Sequence, residues 1–137
     1  MLLAIVAVPV AACGDDPDPP RAAEAAVEVV ATGCGPIDVR GVGLVVAPGR
    51  VLTVAHVVAG SDHVQVSTST GTTSAVVTAF DAANDLAVLA VNPTFSPWIP
   101  LGSATADERG VVVVPRDGEP TVVPVRIDQA VTIRTED

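Results

Sequence analysis

The chain has 137 residues, enough for one ordinary domain, and its 49% of apolar residues excludes global disorder. Those apolar residues are mainly Val and Ala, and Val-rich runs broken by Gly, Pro, Asp and Thr predict an all-β protein. The formal net charge is −9 and the basic residues are scattered along the chain, so the composition excludes a nucleic-acid-binding protein.

The first 13 residues have the pattern of a targeting segment. Residues 1–12 are almost wholly apolar, too few to cross a bilayer as a helix but suited to the apolar region of a signal peptide. The sequence VAAC at residues 10–13 resembles a bacterial lipoprotein signal, which implies lipidation of Cys13. We therefore expect an exported protein, anchored to the outer face of the cell membrane or secreted. An ordinary secretory signal and an apolar tail without function are the alternatives, because no Lys or Arg precedes the apolar run.

A polar segment, residues 14–26, follows the apolar run. Its first half, residues 14–20, is charged and Pro-rich and can bury little surface. Such a composition favours an extended chain, so we expect residues 14–26 to form a tether.

The two cysteines allow two interpretations. If Cys13 is lipidated, Cys34 has no partner among the 137 residues, and an oxidising compartment would favour a partner further along the polypeptide. A Cys13–Cys34 disulfide is the competing interpretation. The two Cys and two His lack metal-ligand spacing, so we expect no metal and no cofactor.

Short strands separated by turn signals are predicted from residue 27 onward. The six predicted strands span residues 28–32, 39–47, 51–55, 63–67, 74–80 and 86–91. Residues 56–59 predict one helical turn, which Gly60 ends. Six antiparallel strands can close a small barrel without exposed edges. We therefore expect a first β-barrel over residues 27–105.

A Pro-rich connection at residues 92–100 precedes a second unit. Residues 111–115 and 121–127 flank an Asp-Gly turn and predict a hairpin, and residues 131–134 predict one more strand. Two or three strands are not stable without a further element that covers their apolar face. We therefore expect residues 106–137 to be the incomplete start of a second barrel.

Two short motifs carry the candidate chemistry: LTVAHVV at residues 52–58 and NDLAVL at residues 84–89. His56 follows a predicted strand and Asp85 directly precedes one, so the two side chains can meet at one rim of a barrel. Nucleophilic catalysis by serine needs a general base that titrates near neutral pH, which histidine supplies. A buried carboxylate fixes the tautomer of that base and stabilises its charged form.

Residues 33–101 resemble the first barrel of the trypsin-like (chymotrypsin-fold) serine proteases of the compact bacterial type. His56 lies in a motif similar to Thr-Ala-Ala-His, Asp85 in one similar to Asp-Leu-Ala-Val-Leu, and residues 41–46 are similar to Gly-Ser-Gly-Phe-Val-Val. The resemblance implies a two-barrel fold and a peptide-bond hydrolase acting on a polypeptide substrate. It assigns His56 as general base and Asp85 as its orienting partner.

The nucleophilic serine of that family is not found in this sequence. The family takes it from a Gly-Asp-Ser-Gly-Gly type of loop, which also supplies the oxyanion-hole donors. No serine of this chain is followed by glycine. We therefore expect a serine endopeptidase truncated before its nucleophile, so that this chain alone is inactive.

Other interpretations stay open. The chain can be a non-catalytic, lipid-anchored β-barrel that binds a partner along a strand edge, or a fragment without function. His56 can be a core histidine, and His63 is predicted to be a surface residue. Asp81 competes with Asp85 for the carboxylate role, but Asp85 directly precedes an apolar strand, whereas Asp81 is predicted to lie in a turn.

Overall fold

Strands make up most of the described part of the chain, as the Val-rich composition predicts. A computed structural model describes residues 4–6, 19–33, 35, 37–92, 95–103, 105–116 and 119–128. Its strands are β1 (Ala4–Val6), β2 (Ala26–Gly33), β3 (Val39–Ala47), β4 (Arg50–Thr53), β5 (Ser61–Thr68), β6 (Gly71–Asp81), β7 (Leu86–Val91), β8 (Arg109–Arg116) and β9 (Glu119–Arg126). Its helices are α1 (Pro19–Ala25) and α2 (Ala55–Val58).

Strands β2 to β7 form a closed antiparallel barrel in the order β2-β3-β4-β7-β6-β5. The barrel closes because β2 pairs with β3 on one side and with β5 on the other. Closure leaves none of these six strands with a free edge. The prediction of an all-β fold with a six-stranded barrel is therefore confirmed.

The barrel interior is filled by aliphatic side chains of small and medium size. Along β7 they follow the period of two that strands impose, with Ala87, Leu89 and Val91 pointing inward. The full set of buried residues is Val27, Val29, Ala31, Val45, Val51, Val57, Val58, Val64, Val66, Ala87, Leu89 and Val91. Val57 and Val58 of α2 also belong to this core.

A second, three-stranded sheet has the order β1-β8-β9. The predicted hairpin of residues 111–127 is present as β8 and β9, with Val112 opposite Val123. Helix α1 packs on this sheet through Ala22 and Ala25, both fully buried. Ile99 joins the same cluster, and its backbone N–H donates to the carbonyl of Val45 in the barrel at 2.9 Å.

The structure differs from the sequence-based expectation at the N-terminus. Ala4–Val6, inside the predicted targeting segment, pairs with β8, and residues 19–25 of the predicted extended tether form α1. The helix forms because an Ala-rich run has high helix propensity and the two prolines lie in its first turn, where a missing N–H costs little. Within the described ranges, no helix is long and apolar enough to cross a membrane.

Some predictions fall outside the described residues. These are the lipidation at Cys13, the pairing of Cys34 and the strand at residues 131–134.

Candidate active site

The candidate site lies at one rim of the barrel, where α2 follows β4 and a turn precedes β7. Strands β4 and β7 are antiparallel neighbours with Thr53 opposite Ala87. The end of β4 therefore lies beside the start of β7. His56, just after β4, and Asp85, just before β7, are brought together by this register.

Asp85 accepts two hydrogen bonds from the same residue. Its Oδ2 lies 2.7 Å from Nδ1 of His56, and its Oδ1 accepts the backbone N–H of His56 at 2.9 Å. Because an ionised carboxylate can only accept, a neutral imidazole in this position carries its proton at Nδ1 and its lone pair at Nε2. This tautomer leaves His56 ready to take a proton at Nε2.

The surroundings of Asp85 favour its ionised form. The backbone N–H of His56 contributes most to lowering the pKa of Asp85, and the hydrogen bond and charge of the imidazole lower it further against a desolvation effect. The side chains of His56 and Asp85 are 58% and 47% exposed. The carboxylate is thus half-exposed, whereas a buried one is expected from the sequence. Water therefore weakens the electrostatic attraction between the two side chains.

The turn before β7 orients Asp85 and separates it from Asp81. Asp85 has a φ of 54°, a left-handed conformation that aspartate tolerates better than most residues. Asp81 accepts hydrogen bonds from the backbone and side-chain nitrogens of Asn84 at 3.1 and 2.7 Å. The side-chain bond from Asn84 is the main cause that lowers the pKa of Asp81. Asp81 therefore caps the turn, and Asp85 is the carboxylate that contacts His56.

One residue that supports the site was missed by sequence reasoning. Thr53 is 4% exposed, and its Oγ1 donates to the carbonyl of Val42 at 3.0 Å. This bond ties the end of β4 to β3 immediately before α2. A threonine between apolar positions, three residues before His56, was the signal available in the sequence.

His63 and a nearby cleft are separate from the His56–Asp85 pair. His63 is exposed on β5, opposite Thr32 in the ladder with β2. A cleft of about 500 Å³ opens beside α2 and is lined by residues that include Val58, Val77 and Phe80. The described residues contain no group of three His, Cys, Asp or Glu that could hold a metal ion.

Comparison with known proteins gives three concordant results. Residues 41–134 match the family model of the Trypsin-like peptidase domain, a range that includes both His56 and Asp85. The serine protease Rv3671c of Mycobacterium tuberculosis strain H37Rv is 37% identical over 101 residues, which are 72% of this chain and 25% of the relative. This chain therefore spans about a quarter of that relative's length.

The similar solved structures are also proteases. The active form of the Rv3671c protease from M. tuberculosis superposes with a TM-score of 0.73 at 29% identity, over 97% of this chain and 66% of that one. An HtrA-type protease, AlgW with a tripeptide, superposes with a TM-score of 0.68 at 27% identity, over 80% and 38%. In each case the likeness covers most of this chain and two thirds or less of the other.

Proposed function

Because the chain belongs to the family of trypsin-like peptidases, we propose that it supplies the base and its orienting carboxylate to a serine endopeptidase acting on polypeptides. The observation that carries this proposal is the pair of hydrogen bonds between His56 and Asp85, at 2.7 and 2.9 Å. A histidine held by both its ring and its backbone on one carboxylate has a set tautomer and a set direction for Nε2.

In the proposed reaction, Nε2 of His56 takes the proton of a serine hydroxyl as that oxygen attacks the peptide carbonyl. Asp85 stabilises the imidazolium that forms, and His56 then gives the proton to the leaving amine. The ionised state of Asp85 suits this role, and the hydrogen bonds from His56 that lower its pKa stabilise that state. We place the nucleophilic serine and the oxyanion-hole donors outside these 137 residues, and we propose that this chain alone is inactive.

The first experiment is to sequence the locus past codon 137 in all three frames. A downstream Gly-Asp-Ser-Gly type of segment would supply the nucleophile, and the extended protein can then be expressed. We expect a serine-directed fluorophosphonate to label the extended protein and not the 137-residue chain. Labelling of the 137-residue chain itself would refute the proposed truncation.

Substitutions in the extended protein then test the two roles. We expect Asp85→Asn to lower kcat by a factor on the order of 10⁴, because the amide favours the wrong tautomer of His56, and His56→Ala to lower it at least as much. His63→Gln is the matched control, since it removes the other histidine from an exposed strand position, and it should keep full activity. Full activity of His56→Ala would exclude His56 as the base.

For localisation, we propose export with lipidation at Cys13. The support is the apolar run of residues 1–12 and the small residues before Cys13. Cleavage before Cys13 would remove β1, so export and the pairing of Ala4–Val6 with β8 are alternatives for one molecule. The intact mass of the protein from the native host tests this proposal. We expect a mass that lacks residues 1–12 and includes an added acyl group. Cys13→Ser should abolish this change in mass, and Cys34→Ser should keep it. An uncleaved, unmodified chain would refute export by this route.

A further inference from the structure

Gly41 of β3 lies directly beneath the residue that follows His56. A Cβ atom at position 41 would lie 2.6 Å from Cγ2 of Val57 and 3.2 Å from its Cγ1. Both distances are shorter than carbon atoms normally tolerate, so Val57 can occupy its place only because residue 41 has no side chain. Val57 is 2% exposed and belongs to the barrel core.

Helix α2 depends on such contacts for its position. It has four residues, and its N-cap residue, Val54, makes no side-chain capping hydrogen bond. A single helical turn has little stability of its own and is held by tertiary packing. Val57 therefore sets how far α2 stands from β3, and with it the position of His56.

Both bonds between His56 and Asp85 depend on that distance. One uses the backbone N–H of His56 and the other its ring, so a displacement of α2 lengthens both. We propose that Gly41 and Val57 form a seat that positions His56 against Asp85. The importance of this seat for catalysis rests on the proposed function, whereas its effect on the hydrogen bonds does not.

The seat can be tested by adding a methyl group at residue 41 and removing the two Cγ atoms of residue 57. Gly41→Ala inserts a methyl group against Val57 and should push α2 away from β3. Val57→Ala removes both Cγ atoms, after which the nearest contact of the new methyl is the Cβ of residue 57 at 3.4 Å, an ordinary distance. The double variant Gly41→Ala/Val57→Ala should therefore restore the position of α2.

Gly43 provides the matched control on the same strand. A Cβ at position 43 would lie 2.5 Å from Cγ1 of Val51 and 3.0 Å from Cγ2 of Val29, both inside the barrel. Gly43→Ala thus inserts the same methyl group into the core, where its three nearest atoms belong to β2 and β4 and not to α2. It should cost stability and leave His56 in place.

The measurement is ¹H and ¹⁵N NMR of the His56 imidazole in the 137-residue chain at neutral pH. A His63→Gln background leaves one histidine to observe. We expect a downfield Nδ1 proton resonance in the parent and in Gly43→Ala. In Gly41→Ala this resonance should be lost and the Nε2–H tautomer should increase. In the double variant the Nδ1 proton resonance should return. An unchanged resonance in folded Gly41→Ala would overturn the proposal.

Two further outcomes are decisive. If Gly41→Ala does not fold, the double variant takes its place: a parental His56 resonance supports the seat, and a missing resonance or an unfolded protein refutes it. In the extended enzyme, Gly41→Ala should lower kcat with little change in KM, and the double variant should recover it. Loss and recovery of the resonance without any peptidase activity would refute the proposed function and leave the seat intact.

Discussion

At the scale of single residues, the site depends on one carboxylate that accepts from both the backbone and the ring of His56. The backbone bond is independent of the protonation state of the imidazole, and it is the main cause that lowers the pKa of Asp85. Asp85 therefore anchors α2 whether or not the ring is charged. This anchoring makes a prediction about stability as a function of pH.

Asp85→Asn should reduce stability at neutral pH, and the difference from the parent should shrink in acid. Since the folded-state pKa of Asp85 lies below its ordinary value of 3.8, the ionised carboxylate stabilises the fold fully above that value. This contribution is lost as the pH falls through the lowered folded-state value. Urea denaturation from pH 5 to pH 2 should show a difference in stability that narrows below about pH 4.

Asp107→Asn is the control for this comparison, because it removes the same charge from a side chain that is 86% exposed. An equally large difference for Asp107→Asn, or a difference for Asp85→Asn that does not narrow below about pH 4, would contradict the argument.

The two residues of the pair were predictable from the sequence because each lies next to an apolar strand with a recognisable pattern. The seat under α2 was not predictable in the same way. Gly41 and Val57 each look ordinary in sequence, and only the distance between β3 and α2 shows that one makes room for the other. Thr53 was missed for the same reason, since its partner is a backbone carbonyl on a neighbouring strand.

At the scale of elements, short apolar runs between turn signals located all six barrel strands, but the predicted ends of the more polar strands fell short of the observed ends. Strand β6 was predicted at residues 74–80 and spans Gly71–Asp81, because backbone pairing with β5 continues to Thr68 opposite Gly71. Helix α1 was missed altogether. Its buried face consists of Ala22 and Ala25, which are too small to produce a clear apolar period.

Because the buried face of α1 consists of alanines, we expect protein stability to depend on side-chain size at these positions. Ala22→Leu should destabilise the protein by about 1–3 kcal/mol, because Ala22 is fully buried among Leu44, Ile99 and Val111 and has no room for a larger side chain. Glu24→Leu places the same side chain on the exposed face of the same helix and should change stability by less than about 0.5 kcal/mol. Urea denaturation measures both, and equal effects would show that α1 does not pack on the sheet.

At the scale of the whole molecule, the six-stranded barrel and the sheet β1-β8-β9 differ in closure. Every barrel strand has two neighbours, whereas β9 pairs with β8 alone among the described residues. The family resemblance predicted the first barrel, which is confirmed, and the opening strands of a second barrel, which stay a prediction. A free edge leaves backbone N–H groups exposed to water and to other strands.

Hydrogen exchange should separate these two parts. In the 137-residue chain, amides of Val66 and Leu89 inside the barrel should exchange only through global opening, and outward-facing amides of β9 should exchange far faster. If the extended protein adds strands to this sheet, the same β9 amides should become protected in it while the barrel amides change little. Equal protection of β9 and the barrel in the 137-residue chain would mean that this edge is already covered, and the sheet would then need no further strands.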